Sequence, residues 1–492
     1  MSQRINMAPL SARRPIGFAF PGRFAWGGID LWIQGVALLL TGLLVGRMAR
    51  KLPVVPLTTG DSYAYQYLFN YRPPFYGWLV NAWQAVAGSV DYLPLAQLAL
   101  VGIGVFVFAV ELGRMLRSPL VPLLGVPVLL MHPGIHDAPS WMMTEAPFMA
   151  LVLAGLAMQC RFVRRGGLDA LLLAAACFTL ATLTRSTGMA FLPLPLLAAL
   201  CDRRVTLRLG ALRAAASAGI AVVCVLIGMT WTWSRGGPFE IGSWAGISVL
   251  GKSLVLARPG ELPLLPEPLA TQVAEAADVS RQLTAEQPDL AARLRAQIQA
   301  SSDVRYAVFW PAAETEWPAW AAADGRERDR LAKAISAPLI AAHRGEYLQM
   351  VANDWISLII HPHYWPAAFT STPAEPHRFA ACAATETCWG IDRYDFPLFG
   401  LVPLFIVSVL GTLAALLLIP LAALPVLRRR GSPMLVLMWG GAMVVHGTLL
   451  ATAAAEAGHM RYTVAPHAID MMLLFWLAAL VVRGRSGRGD LA

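Results

Sequence analysis

Four short clusters in this sequence carry the residue types that acid–base and phosphate chemistry need. The first holds Asp61, Tyr63, Tyr65, Tyr67, Tyr71 and Arg72, and the second holds His132, His136, Asp137 and Glu145. The third is Thr184 with Arg185, and the fourth holds Glu456, His459, Arg461 and Tyr462. A single carboxylate such as Asp61 can accept the proton of an attacking hydroxyl. Arg185 and Arg461 can hold an oxyanion through charge-assisted hydrogen bonds. Asp137 and His136, with His132 or Glu145, offer oxygen and nitrogen ligands for a divalent metal. Each residue also has a plainer reading. Asp61 could cap a helix after Gly60, Glu145 could be a first-turn helix acid, and the two arginines could fix helix ends. The tyrosines suit an interfacial aromatic belt as readily as a surface for sugar or lipid. His361 and His363 read as loop residues.

The elements that must position these clusters are membrane helices. Of 492 residues, 57% are hydrophobic and 14% charged, with a mean hydropathy of +0.55. Soluble chains carry roughly 25% charged residues, so a soluble enzyme and a disordered protein are both excluded. The formal net charge is +9, but residues 234–395 carry 14 basic and 19 acidic residues, which leaves +14 for the rest. That surplus lies in short connections between apolar runs, where it signals topology rather than a nucleic-acid partner. Six cysteines in so long a chain do not make a disulfide framework. Cys382 and Cys388 could pair in an oxidising compartment or stay as thiols, and the other four lie in or near apolar runs. Arg4, Arg13, Arg14 and Arg23 mark residues 1–25 as a cytoplasmic lead-in rather than a cleaved signal.

A crossing needs about 20 apolar residues, and basic clusters stay in the cytoplasm. Arginines at 114–117, 161–165, 203–208, 428–430 and 483–488 are therefore placed inside. This predicts an all-α polytopic protein of about ten crossings with both ends cytoplasmic. The crossings fall at 29–45, 94–113, 119–135, 146–160, 168–184, 186–200, 211–233, 398–427, 433–454 and 467–483. The Trp-bearing stretch 74–90 is left as a helix at the outer interface. Residues 1–233 form a transmembrane catalytic module with outer loops at 50–93 and 136–145. Residues 234–395 form an extracytoplasmic segment, and 396–492 carry the last crossings. Helical periodicity covers 268–300 and 325–360, and Tyr347 to Ile360 reads as an amphipathic helix lying on the membrane. Mid-span positions are nearly free of charge, which weighs against a transporter. The sequence contains no Walker loop, dinucleotide fingerprint, His-Glu-x-x-His or Gly-x-Ser-x-Gly motif, and no internal repeat.

The polar clusters also carry a resemblance. Asp61-x-Tyr63 followed by Arg72-Pro73-Pro74-Phe75-Tyr76-Gly77-Trp78 resembles the first outer loop of the glycosyltransferase C superfamily. The nearest branch is that of protein mannosyltransferases and aminoarabinose transferases. Thr144-Glu145-x-Pro147-Phe148 resembles that branch's acid opening the helix after the second outer loop. Leu183-Thr184-Arg185-Ser186-Thr187-Gly188 resembles its Thr-Arg-x-Thr-Gly turn, and Arg461-Tyr462 its Arg-Tyr pair before the last helix. The resemblance covers about the first 200 residues well and the last 40 loosely; residues 234–395 carry no part of it. Asp61 is followed by Ser62, where the branch often has a second acid.

The resemblance implies a donor sugar on a polyprenyl phosphate and a glycan, lipid or protein acceptor. It implies inversion at the anomeric carbon and a site on the periplasmic face of a bacterial inner membrane. Asp61 is then the general base, with Tyr63, Arg72, Glu145, Arg185, His459, Arg461 and Tyr462 contacting substrate. Members differ in their need for metal, so a divalent ion held by Asp137, Glu145 and His136 is a candidate cofactor. Two other classes stay open on sequence: a lipid-linked glycan transporter or flippase, and a non-catalytic assembly subunit. Within enzymes, an oligosaccharyltransferase-like use of a pyrophosphate donor also stays open.

Overall fold

The computed structural model describes residues 24–58, 60–132, 135–136, 138–237, 239–242, 245–360, 398–427, 432–455 and 464–485. Among these the chain is helical throughout, with no strand and a single isolated bridge between Leu57 and Trp141. The first part runs α1 (Phe24–Ala49), α2 (Gly60–Gln66), α3 (Pro74–Ala87), α4 (Leu93–Leu116), α5 (Leu120–Leu130), α6 (Glu145–Arg165), α7 (Leu168–Thr184), α8 (Pro193–Leu200) and α9 (Leu207–Ser234). The polar segment follows as α10 (Ala245–Val255), α11 (Glu267–Ala285), α12 (Leu290–Ser302), a π-helical turn Asp303–Phe309, α13 (Trp310–Glu316), α14 (Pro318–Ala321), α15 (Gly325–Ala342) and α16 (Arg344–Ile360). The chain ends in α17 (Leu398–Leu427), α18 (Pro433–Ala455) and α19 (Val464–Arg485).

Seven of these helices, α1, α4, α6, α9, α17, α18 and α19, are long and apolar enough to cross a membrane. The other three expected crossings are helical but shorter: Leu120–Leu130, Leu168–Thr184 and Ser186–Leu200. The last opens as a 3₁₀ turn, Ser186–Phe191, because Arg185 is extended and Pro193 and Pro195 follow. Leu31, Trp32, Leu38, Leu39 and Leu43 on α1, and Leu212, Val222, Val223 and Ile227 on α9, are exposed. Apolar faces of that extent are what acyl chains cover.

Side chains fix which helix ends lie together. At one end, the buried Glu111 of α4 accepts from Arg114 (3.2 Å) and from Arg164 of α6 (2.6 Å). Asp202, fully buried after α8, accepts from Arg204 (2.8 Å) and Arg213 (3.2 Å). Arg204 also donates to the last carbonyls of α6, at Phe162 and Val163. These are the basic clusters that the sequence places together. The opposite end gathers the connections 50–73 and 136–145, the turn after α7, and α3, whose Trp78 meets Trp231 of α9 at 5.4 Å.

Two apolar cores result. One is shared by α4–α7, α18 and α19 and includes Phe108, Leu153, Phe178, Leu437 and Met472; the other fills the polar segment around Leu250, Leu269, Phe309 and Trp320. The expected helix over 268–300 is two helices, because Pro288 interrupts it and Asp289 caps the second by accepting from Ala292 N at 2.8 Å. The amphipathic helix expected to lie on lipid instead packs on protein. Val351, Leu358 and Ile359 of α16 enter the membrane core, and Met350 enters the core of the polar segment.

Candidate active site

The connections 50–73 and 136–145 are stitched to each other by backbone bonds. Leu57 N–H donates to Ser140 O, and Met142 N–H donates to Leu57 O, both at 2.9 Å. Ser62 Oγ adds a bond to Met142 O at 2.8 Å. From below, the buried Gln97 of α4 donates to Pro139 O (3.1 Å) and Trp141 O (2.9 Å) and accepts from Tyr76 of α3 (3.0 Å). The polar groups of both loops are thus satisfied by each other, as buried loop backbone requires.

Asp61 sits in the first turn of α2, where the helix dipole favours a carboxylate. It is paired with Arg72, whose guanidinium lies 5.8 Å from the Tyr65 ring centre and 5.6 Å from that of Tyr71. The Asp61 side chain stays 37% exposed. Glu145 opens α6 as a first-turn acid and is also bound to Arg185, Nη1 to Oε1 at 2.7 Å. Both members of this second pair are largely buried, with 7% and 15% of their side chains exposed. Arg185 reaches it because α7 stops there. Gly188 lies so close to the preceding turn that a Cβ would stand 2.5 Å from Thr182 N. The Thr-Arg-Ser-Thr-Gly sequence therefore folds back and presents the arginine.

Tyr65 is within electrostatic reach of both pairs. It shares a face of α2 with Asp61, four residues earlier, and its ring meets Tyr76 edge-on at 5.1 Å. Burial pushes its phenol above the usual value. Arg72 and Arg185 pull it down while Asp61 and Glu145 push it up, so all four charges act on one hydroxyl. Tyr63, which the resemblance implies contacts substrate, lies on a different face of α2 and is 53% exposed, whereas Tyr65 is the buried tyrosine of that helix. Beside it, Tyr65, Arg72, Pro73, Pro74, Trp231 and Thr232 line a space of about 10 Å³, room for about one water.

The remaining expected residues divide. His132 is fully buried and faces inward, with its ring 4.8 Å from that of His467 in α19. His136 is half-buried. Asp137, Glu456, His459, Arg461 and Tyr462 lie outside the described residues, as do His361, His363, Cys382 and Cys388. Among the described residues no three His, Cys, Asp or Glu side chains are grouped to hold a metal ion, and Glu145 is engaged by Arg185.

One polar group corrects the sequence reading. The spans are not free of ionisable side chains: Asp470 of α19 is buried and accepts from Thr412 of α17 at 3.0 Å. The Thr412 carbonyl is also hydrogen-bonded to Nε2 of the buried His446 of α18 at 3.0 Å, and His467 pairs with Ser408 at 2.7 Å. The signal was present, an acid inside an apolar run of α19, but an averaged hydropathy hides a single charge. Compared with protein-family models, curated proteins and solved structures, the chain matches none.

Proposed function

We propose that this chain is a membrane glycosyltransferase of the glycosyltransferase C type. It crosses the membrane ten times, places residues 234–395 in the periplasm, and transfers a sugar from a polyprenyl phosphate to an acceptor hydroxyl. The observation that carries this reading is the docking of three separate connections to one another, which brings the pairs Asp61–Arg72 and Glu145–Arg185 both to bear on Tyr65. In the reaction, the acceptor oxygen attacks the anomeric carbon while its proton passes to Asp61. The bond from that carbon to the phosphate oxygen breaks on the opposite face, so the configuration inverts. The negative charge left on the lipid phosphate is held by Arg185 and Arg461. A guanidinium has five donors and can hold Glu145 and a phosphate oxygen together. Arg72 holds the Asp61 carboxylate in orientation. The space beside Tyr65 is too small for a sugar, so the donor sugar lies on the open side of Asp61, where the carboxylate meets solvent.

Asp61→Asn tests the reading. It preserves shape and helix capping but cannot take a proton, and positioned bases contribute roughly 10²–10⁴ in rate. With a radiolabelled polyprenyl phosphate sugar, turnover should fall by about that factor with donor binding retained; transfer within threefold of the parent removes Asp61 from the mechanism. The orientation has its own check. Val279→Cys, on an exposed position of α11, should react with an impermeant maleimide in intact spheroplasts, and labelling only after lysis reverses it. A second reading, a lipid-linked glycan transporter, is favoured by the buried Asp470 inside a span. In a transporter Asp61→Asn keeps full function.

A further inference from the structure

The turn after α2 keeps large aromatic rings in water. Tyr67 and Phe69 are exposed and belong to neither apolar core. Between them Leu68 stands in the left-handed region, at φ 53°, which side chains rarely adopt. The turn is closed by bonds from Tyr67 N–H to Tyr63 O (2.9 Å) and from Phe69 N–H to Ala64 O (2.8 Å). It sets the rings of Tyr67 and Phe69 side by side, 6.4 Å apart with 27° between their planes, and Phe69 meets Tyr71 at 5.6 Å. Tyr71 adjoins Arg72, the partner of Asp61.

The polar segment continues this line. A Cβ on Gly325, at the start of α15, would stand 2.3 Å from the Tyr71 ring, and the Arg328 charge is felt at the Tyr71 hydroxyl. The Arg328 guanidinium lies 6.0 Å from the centre of the Trp310 ring. Trp310 in turn is 6.4 Å from the exposed Tyr306, one helical turn earlier. Tyr306 belongs to the π-helical turn Asp303–Phe309, a rare element frequently found at functional sites. Its ring rests on the buried Arg305, whose guanidinium carbon is 4.1 Å from the ring centre. Both arginines are held by fixed partners. Arg305 donates to Ile247 O (2.9 Å) and Ser248 O (3.2 Å), and Arg328 donates to Glu314 (2.7 and 3.2 Å) and Trp320 O (3.1 Å).

We propose that this run of rings, Tyr67, Phe69, Tyr71, Trp310 and Tyr306, is a binding surface for a neutral glycan. Its role as the acceptor site rests on the proposed function; the binding itself rests on the surface alone. A sugar ring has a face of C–H groups that packs on aromatic faces, and an edge of hydroxyls that stays in water. Rigidly supported rings exposed to water fit that shape. Ring-to-ring steps of 5.6 and 6.4 Å are comparable with the repeat of a hexose chain, so the run suits several sugar units rather than one. The arginines beside the rings already have partners, and residues 234–395 carry 14 basic against 19 acidic residues, which favours a neutral ligand over an anionic one. A membrane belt of aromatics follows the helix ends, whereas this run passes from the turn after α2 into the polar segment and is braced there by guanidinium groups.

Saturation-transfer NMR on the full chain in lipid nanodiscs reads the binding. The probes are linear hexasaccharides of mannose, glucose and galactose, with the hexamer of galacturonic acid as the anionic comparison. At least one neutral hexasaccharide should bind, with saturation strongest at its C–H protons. Tyr67→Ala and Tyr306→Ala, both at exposed positions, should each weaken that binding about three- to tenfold. Tyr306→Phe, which keeps the ring, should lie close to the parent, as should Trp32→Ala on the exposed face of α1. Rings covered by lipid would leave every hexasaccharide unbound, and that result overturns the proposal. So does binding undiminished in both alanine variants, or tighter binding of the anionic hexamer. The measurement uses no donor. Glycan binding by a parent that transfers no sugar therefore upholds the surface and counts against the proposed function. A parent that transfers sugar with the same acceptor KM as both alanine variants upholds the function and overturns the surface.

Discussion

The two ends of the helix bundle use the same chemical parts in different proportions. At the end holding Glu111 and Asp202, each buried carboxylate serves two arginines, and a third donor set goes to helix carbonyls. At the other end each carboxylate has one arginine among the described bonds and sits in the first turn of its helix, and both pairs act on Tyr65. Two cations per acid satisfy the acid's lone pairs and lock helices together. On the proposed function the same residue types lock helices at one end and serve the reaction at the other, and motif content alone does not separate them.

Substitutions at matched positions can break or sharpen this contrast. The largest effect after Asp61 itself is expected for Arg185→Gln. Charge-assisted hydrogen bonds are worth about 1.5–3 kcal/mol, so donor affinity should fall about ten- to a hundredfold. Arg164→Gln at the opposite end should leave donor affinity as it is, and equal losses from both would erase the distinction. Next comes Glu111→Gln, which leaves Arg114 and Arg164 without their shared counter-charge. A loss of roughly 1–3 kcal/mol should appear as a lower unfolding temperature in detergent, with donor affinity intact. The smallest effect belongs to Asp30→Asn. Its contact with Arg114 is long, 3.8 Å, and the acid is 46% exposed, so stability should change by less than about 0.5 kcal/mol. A loss as large as that of Glu111→Gln would make Asp30 a full member of the structural cluster.

Much of the scaffold was legible because hydropathy and arginine placement act locally. Every expected crossing is helical, and α3 lies at the end of the bundle where its tryptophans suggested. Three of these helices fall short of a span's length, where prolines and the Arg185 break truncate them, which leaves seven long enough to cross among the described residues. The acids and arginines of the first three outer connections were also named from sequence, but their partners were not. Asp61 could be read as a base or a cap; that it holds Arg72, and that Glu145 holds Arg185 from 40 residues away, depends on how loops dock. Tyr65 was named with the other tyrosines of the first cluster, but which of them is buried depends on the short helix α2, a stretch that reads as loop. The apolar face of α16 was legible, but whether lipid or protein covers it depends on helices 80 or more residues later. Asp470 was visible in the sequence and was averaged away.

The bridge between Leu57 and Trp141 carries a consequence for how the chain can vary. It anchors the backbone four positions before Asp61 and, through Met142, three before Glu145. Inserting or deleting one residue between Asp61 and Tyr65, inside α2, turns one against the other by about 100°. Such a change carries the carboxylate off the face it shares with Tyr65, although composition and hydropathy hardly alter. The stretch Lys51–Pro53, before the anchor, makes only local bonds and can absorb a change in length. Spacing within 61–65 should therefore behave as a fixed ruler across variants of this protein, while residue identity at the intervening positions drifts.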